Sequence, residues 1–477
     1  MIIVHTIVVR TISEVKNMNP IQKEVQSKLI KMIIPALSGL IITFLFQLVD
    51  TYYIGQLGAI QLTAISFTYP IYIALISIFI GLATGVGAAV GKVFGEKNSH
   101  KVKEMTTVSI LLAFIGSILV CFGAYFVRIP IYSLLGAKDS IIPYIDQYMT
   151  IIIIGFPALF IALSAMATLR ATGKALIPDV VMGISGIINI VLDYYLIFGV
   201  GQIAPMGIKG AAVATVVSWI FVLIVMLCLL VKHKHVTLLI SIRHMFNSAS
   251  IILKIGIPAI GVQLITPVAL GLMTKFVSYH GTDAIAAFGI ATKIESLSLT
   301  LILAMGIVLV PITAQHYGAN EKEHLDHIVV LSGKMSTYWS ILLYIVIFFF
   351  SKSIASIFTD SQEIIDIVAT YLKIMGISYP LYGITLITNS LFNAVEKSIQ
   401  SLKITIVKYV IILVPALFIG NYWGLNGLWL TIMTTHILGG LFASNLFRSW
   451  LKEQGSAIAE ANLWSEYSND FKRLKRK

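Results

Sequence analysis

Asp50, Asp193 and Glu295 stand out because each lies well inside a long apolar run, and a carboxylate placed there has a narrow range of chemistry. An ionised acid in hydrocarbon is costly unless it is protonated, paired or hydrated, so each is a candidate for holding a proton or a cation. Asn189 precedes Asp193 by one helical turn and shares its face. At ~1.5 Å per residue, Asp50 lies about 28 Å along its run from Lys31, and Asp193 about 27 Å from Ala175. Both therefore belong to the same half of the membrane thickness, and Thr215, in a run that opens near Gly210, reaches the same layer. Two carboxylates, an amide and a hydroxyl at one depth make a plausible Na⁺ or proton site, because oxygen ligands suit a hard cation and adjacent buried acids favour protonation. The bland alternatives are that Asp50 caps the end of the first helix beside Tyr52 and Tyr53, and that Asp193 is an interfacial residue beside Tyr194 and Tyr195.

Glu295 lies about 18 Å beyond Asp283 at ~1.5 Å per residue, close to the midplane. Lys293 is on a different helix face. Glu295 is thus either a second coupling or substrate site, or an acid neutralised by a neighbour such as Lys373 or Lys408. Asp139, Asp146, Asp179, Asp283, Asp360, Glu363 and Asp366 fall near run ends, where solvation or helix capping is expected. Other reactive constellations are missing from the sequence: no HExxH, no GxSxG, no phosphate-binding glycine loop before Lys-Ser/Thr, and no His/Cys cluster. An enzyme is not expected, nor a cofactor, and without a nucleotide site the energy source must be an ion gradient. His233, His235 and His244 read as loop residues, and Cys121 and Cys228 as small apolar ones.

The elements that must position these groups are transmembrane helices. Of 477 residues, 57% are hydrophobic and 12% charged, with mean hydropathy +0.91. Apolar runs occupy approximately residues 29–54, 64–91, 105–130, 141–168, 175–200, 210–231, 250–278, 284–315, 327–351, 364–393, 399–420 and 425–447. Each can cross a hydrocarbon core of about 30 Å as a helix. The expected fold is an all-α polytopic membrane protein with twelve transmembrane helices, its lipid bilayer the first partner. Of 34 Lys and Arg residues, only Arg128, Lys138, Lys209, Lys275 and Lys352 lie on the predicted outer side, with Lys293, Lys373 and Lys408 inside spans. All others flank the opposite side. The +12 charge is accordingly a topology signal, with no nucleic-acid partner and both termini cytoplasmic, in a cytoplasmic (inner) membrane. The opening residues make a poor signal peptide, and either Met1 or Met18 could be the true start.

The chain is also written twice. KMIIPA at Lys31 matches KIGIPA at Lys254, and Pro35 and Pro258, Gly58 and Gly281, Gly95 and Gly318, and Pro157 and Pro380 are each 223 positions apart. Each copy holds six spans, so the copies are parallel repeats about an axis along the membrane normal. The expected organisation is a cytoplasmic segment 1–28, an N-lobe 29–232, a linker 233–249, a C-lobe 250–448 and a basic cytoplasmic tail 449–477. Two pseudo-symmetric six-helix lobes that rock about a central cavity suit alternating-access transport, and they suffice for a working monomer.

FQLVDTYYIGQLGAIQLTAIS, VGKVFGEKN, RATGKALIPDVV, NIVLDYYLIFG, GIKGAAVATVVS and ATKIESLSL, in this order and spacing, resemble the MATE family of multidrug and toxic compound extrusion transporters. The similarity runs over the chain after Lys28. It implies export of amphipathic, often cationic compounds in exchange for H⁺ or Na⁺, with the family's N-lobe cation site falling on Asp50, Asn189, Asp193 and Thr215. In the branch resembling DNA-damage-inducible efflux proteins, helix 1 bends at a proline that matches Pro35. Two positions depart from the family pattern: Thr266 stands where another branch has an acid, and Tyr194 follows Asp193 where proline is common. The alternative function is a lipid-linked oligosaccharide or lipid flippase of the related superfamily. Such flippases usually carry extra helices and a cationic central cavity, whereas basic residues are few within these spans. A membrane enzyme is a weaker third possibility. The topology makes a direct prediction: cysteines introduced at residues 132–138 should react with a membrane-impermeant thiol reagent from outside, and labelling only from the cytoplasm would refute it.

Overall fold

The computed structural model describes residues 20–134, 136–199, 201, 204–237 and 240–456; the expected start at Met1 or Met18 and the FKRLKRK tail lie outside them. The first half comprises α1 (Pro20–Leu57), α2 (Ala59–Gly95), α3 (Ser99–Leu134), α4 (Ile142–Ala171), α5 (Leu176–Phe198) and α6 (Ile208–Lys232). The second comprises α7 (Ile242–Ser278), α8 (Thr282–Ser298), α9 (Thr300–Gly318), α10 (Lys322–Ala355), α11 (Gln362–Gly376), α12 (Tyr379–Ala394), α13 (Ser398–Ile406), a π-helical turn (Val407–Leu413), α14 (Val414–Tyr422) and α15 (Gly424–Glu453). Helices are the available solution because apolar runs in lipid must satisfy their backbone groups internally. Among the described residues eleven helical stretches are long and apolar enough to span, and α11 with α12 make a twelfth when the bent pair is counted as one broken span.

Three runs in the second half are less regular than the sequence leads one to expect. The eighth breaks at Leu299 into α8 and α9, and the tenth bends by 61° between α11 and α12. Pro380 sits in the first turn of α12, where its missing N–H costs nothing, whereas its repeat mate Pro157 lies inside an unbroken α4. The eleventh carries the π-helical turn. Repeat-equivalent Gly58 and Gly281 make the first sharp turn of each half at φ +127 and +104, a region that side chains disfavour.

Within the first half α1 packs on α5, α2 on α4, and α4 on α3 and α6; within the second, α12 packs on α9, α10 and α15, α7 on α13, and α8 on α11. The halves meet chiefly where α2 lies against α7 and α9. Small residues allow this: a Cβ on Gly81 would fall 2.5 Å from the Ile260 backbone, and one on Gly85 2.7 Å from the Ile252 carbonyl. A Cβ on Gly95 would fall 1.9 Å from the Gln315 carbonyl oxygen, and one on Gly318 1.9 Å from that of Lys92. These four residues form two repeat-equivalent pairs, so the pseudo-two-fold axis passes between α2 and α9.

Polar contacts close the seam at the same end. Lys92 Nζ donates to Glu396 Oε2 at 2.7 Å, and Gln315 Nε2 donates to the Ala171 carbonyl at 2.8 Å. Each of these repeat-equivalent side chains thus reaches the segment after the fourth span of the other half. Lys28 Nζ on α1 donates to Gln315 Oε1 at 3.1 Å. Gly95→Ala should force α2 and α9 apart and cost about 1–3 kcal/mol, the usual penalty of overpacking. A lowered melting temperature of the purified variant is the expected result, and an unchanged one would contradict this account of the seam.

Candidate functional site

Asp50 on α1 and Asp193 on α5 come together because these helices pack closely. The Phe46 ring occupies the space that a Cβ on Gly186 would need, which draws α1 onto α5 one turn before Asp50. Beyond the acids, the rings of Tyr53, Tyr194 and Phe198 meet, with Tyr53 edge-on to Phe198 at 5.8 Å and 6.2 Å from Tyr194. Asp193 has no exposed surface, and Asp50 is half-buried. Their charges lie close enough to interact. Asp50 Oδ1, both carboxylate oxygens of Asp193 and Asn189 Nδ2 are buried without a hydrogen-bond partner among the described residues. The capping alternative for Asp50 fails because α1 continues past it to Leu57, and Asp193 is buried inside the protein while its neighbours Tyr194 and Tyr195 are exposed.

Thr215 is half-buried on α6 and spends its hydroxyl on the Ala211 carbonyl at 3.0 Å; no hydrogen bond among the described residues ties it to the carboxylates. Pro35 lies within continuous α1, which lacks one backbone hydrogen bond there because proline has no N–H. Sequence reasoning missed Tyr72 on α2 and Tyr148 on α4, whose phenols lie within electrostatic reach of Asp50, with Tyr148 also near Asp193.

The second half holds a separate polar cluster. The Tyr371 hydroxyl donates to Glu295 Oε2 at 2.7 Å, while Glu295 Oε1 is buried without a partner among the described residues. Of the two lysines considered as its neutralising neighbour, Lys408 interacts with it electrostatically. Lys373 instead lies over the Phe348 ring at 5.7 Å. Lys408 is 1% exposed, on the π-helical turn, with its ammonium 4.1 Å from the centre of the Tyr382 ring and 4.6 Å from that of Tyr409. His436 stacks on the other partner, Tyr382, at 4.4 Å. The faces of the two tyrosine rings thus surround the buried Lys408 head group, an arrangement that suits a cation.

The two clusters are related by the repeat. Tyr148 and Tyr371 stand at equivalent positions, as do Tyr72 and Glu295. The 223-residue offset was the signal that could have found these tyrosines. Several acids near span ends prove to be paired instead of merely solvated: Asp179 with Arg170, Asp146 with Arg128 and Asp366 with Lys352, each at 2.7 Å. Outside the spans, burial and then the neighbouring His233 and Lys174 push His235 below its ordinary pKa.

A helical membrane protein with two like halves and unpartnered buried acids is a transporter architecture, and comparison with known proteins identifies it. The MatE family model matches residues 35–195 and 258–419. The chain belongs to the MATE family. Among curated relatives of this MATE transporter, the "FAD transporter" of Shewanella oneidensis is 33% identical over 417 residues, 87% of this chain and 92% of that protein. The "Probable multidrug resistance protein YoeA" of Bacillus subtilis is 28% identical, over 74% of this chain and 77% of its own length. Among solved structures, the Vibrio cholerae MATE transporter VcmN in its bent form is 26% identical with a TM-score of 0.85, covering 91% of this chain and 99% of its own.

Tyr371→Phe removes the hydrogen bond that Glu295 accepts, which should cost about 1.5–3 kcal/mol for a bond to a charged acceptor. The loss should shrink in a Glu295→Gln background. Equal losses in melting free energy in both backgrounds would show that Tyr371 does not act on Glu295.

Proposed function

We propose that this MATE transporter exports amphipathic, often cationic, small molecules across the cytoplasmic membrane in exchange for H⁺ or Na⁺, working as a monomer with both termini cytoplasmic. The observation that carries this reading is the pair Asp50 and Asp193, close together on two helices of one half, with buried oxygens that no described protein group satisfies. Two such carboxylates cannot both stay ionised and bare in a low-dielectric bundle. A proton or Na⁺ is the neutralising partner of the right chemistry, with Asn189 and Thr215 contributing oxygen atoms in the Na⁺ case and Tyr72 and Tyr148 lining the same group. Glu295 is the candidate second-lobe site, with its charge balanced by Lys408.

In the proposed orientation, the contacts around Gly95, Gln315 and Lys92 close the cytoplasmic end of the seam. Cation binding at Asp50 and Asp193 would then favour one lobe arrangement over the other, since coupling requires different affinity in the two states. α1 links these events mechanically: it carries Asp50, Pro35 as a bending point, and Lys28 in the closed seam. A second substrate reading, a flavin dinucleotide, is favoured by the 33% identity to a protein named as an FAD transporter. Relatives named for multidrug resistance support the broader one.

Reconstitution in proteoliposomes tests both. A pure pH gradient or a pure Na⁺ gradient should drive transport of a cationic dye or of FAD, and Asp50→Asn should abolish gradient-driven transport without changing the elution profile of the protein. Undiminished transport by that variant would refute the coupling scheme.

A further inference from the structure

We propose that His316, Glu321 and His324 form a binding site for a transition-metal dication of the Zn²⁺ class at the seam between the halves, and that filling it breaks the Lys28–His316 contact. One ligand atom from each residue lies within 4.8 Å of the other two. His316 Nδ1 is 2.5 Å and His324 Nδ1 3.8 Å from Glu321 Oε2. A tetrahedral Zn²⁺ with bonds of ~2.0–2.1 Å holds its ligand atoms about 3.4 Å apart, so small side-chain rotations complete the geometry. Two imidazole nitrogens and one carboxylate oxygen are a donor set that zinc accepts, with a fourth position left to water. The local backbone holds them in place: Glu321 N donates to the His316 carbonyl at 3.0 Å across a turn with Asn320 at φ +57. The two imidazoles stack at 4.8 Å. His316 is buried while Glu321 is exposed, so an ion can enter from the aqueous side.

The first half touches this cluster from α1. Lys28 Nζ lies 3.3 Å from His316 Nε2, and Glu24 Oε2 lies 3.9 Å from His324 Nε2. An ammonium group has donors only, so His316 Nε2 must accept from Lys28, and the ring's one proton sits on Nδ1, donated to Glu321. A metal bound at Nδ1 needs that lone pair, which moves the ring proton to Nε2. There it faces the Lys28 ammonium, and an attractive contact becomes a repulsive one. Metal binding and the Lys28 contact are therefore mutually exclusive, and the ion acts at the base of the helix that carries Asp50.

The test is a Zn²⁺ titration of the full-length protein, prepared without a polyhistidine tag, against a chromophoric chelator. One Zn²⁺ should bind per chain. His324→Ala and Glu321→Gln should each weaken binding by tenfold or more, and Lys28→Met should tighten it by about tenfold, the scale of groups that tune a ligand from behind. Each variant is checked for unchanged elution, and Lys28→Met stands as an independent test because it alters no ligand. Absence of a stoichiometric site, binding indifferent to both His324→Ala and Glu321→Gln, or weaker binding in Lys28→Met would overturn the proposal.

Discussion

A carboxylate enclosed by membrane-spanning helices must be neutralised, and the arrangement of this protein follows from how each buried acid meets that demand. Asp179, buried in the first turn of α5, takes Arg170 at 2.7 Å. Glu295 takes a tyrosine hydroxyl on one oxygen and the field of Lys408, itself held among aromatic rings. Asp50 and Asp193 differ in kind. They stand on packed helices within electrostatic reach of each other, and the surrounding described residues leave three of their oxygens without a hydrogen bond. A protein can retain such a pair at a tolerable cost when a mobile ion completes it, and that requirement is the basis of the ion coupling proposed for this site.

The second constraint is symmetry. The sequence repeat gives two halves, and in the proposed transport cycle these slide or rock against each other, which calls for an interface that is close yet narrow. Gly81, Gly85, Gly95 and Gly318 provide the close approach, and Lys28, Lys92 and Gln315 provide polar contacts at one end. Hydrogen bonds and ion pairs of this sort can be exchanged for water when the seam opens, whereas a broad apolar interface could not. Coupling between site and seam needs a shared element, and α1 contributes a residue to each.

Much of this was legible in the sequence because membrane solvation imposes strong rules. Apolar run lengths gave the spans, and the 223-residue offset gave the two halves, since Pro35 with Pro258 and Gly95 with Gly318 occupy equivalent places. Depth along each helix put Asp50, Asn189 and Asp193 in one layer, and in the structure Asp50 and Asp193 lie within electrostatic reach of each other on the packed helices α1 and α5. Long-range packing was not legible. Nothing local in the sequence shows that Lys408 and not Lys373 serves Glu295, because that depends on how the eleventh span rotates through its π-helical turn. Nor does it reveal the breaks at Leu299 and between α11 and α12, which occur within continuously apolar runs. Tyr72 and Tyr148 escaped notice because a tyrosine in a span ordinarily packs or anchors at an interface.

The central proposal is that cation binding at the Asp50–Asp193 pair and substrate binding favour opposite lobe arrangements, so that one displaces the other. Ion displacement on substrate binding tests it most directly: purified protein in weakly buffered solution, with a pH electrode and a Na⁺-selective electrode reading the bath as substrate is added. The account predicts release of H⁺ or Na⁺ in proportion to substrate bound by the wild-type protein, and none from the Asp50→Asn, Asp193→Asn double variant. Release of the same size from the double variant, with substrate still bound, would contradict it.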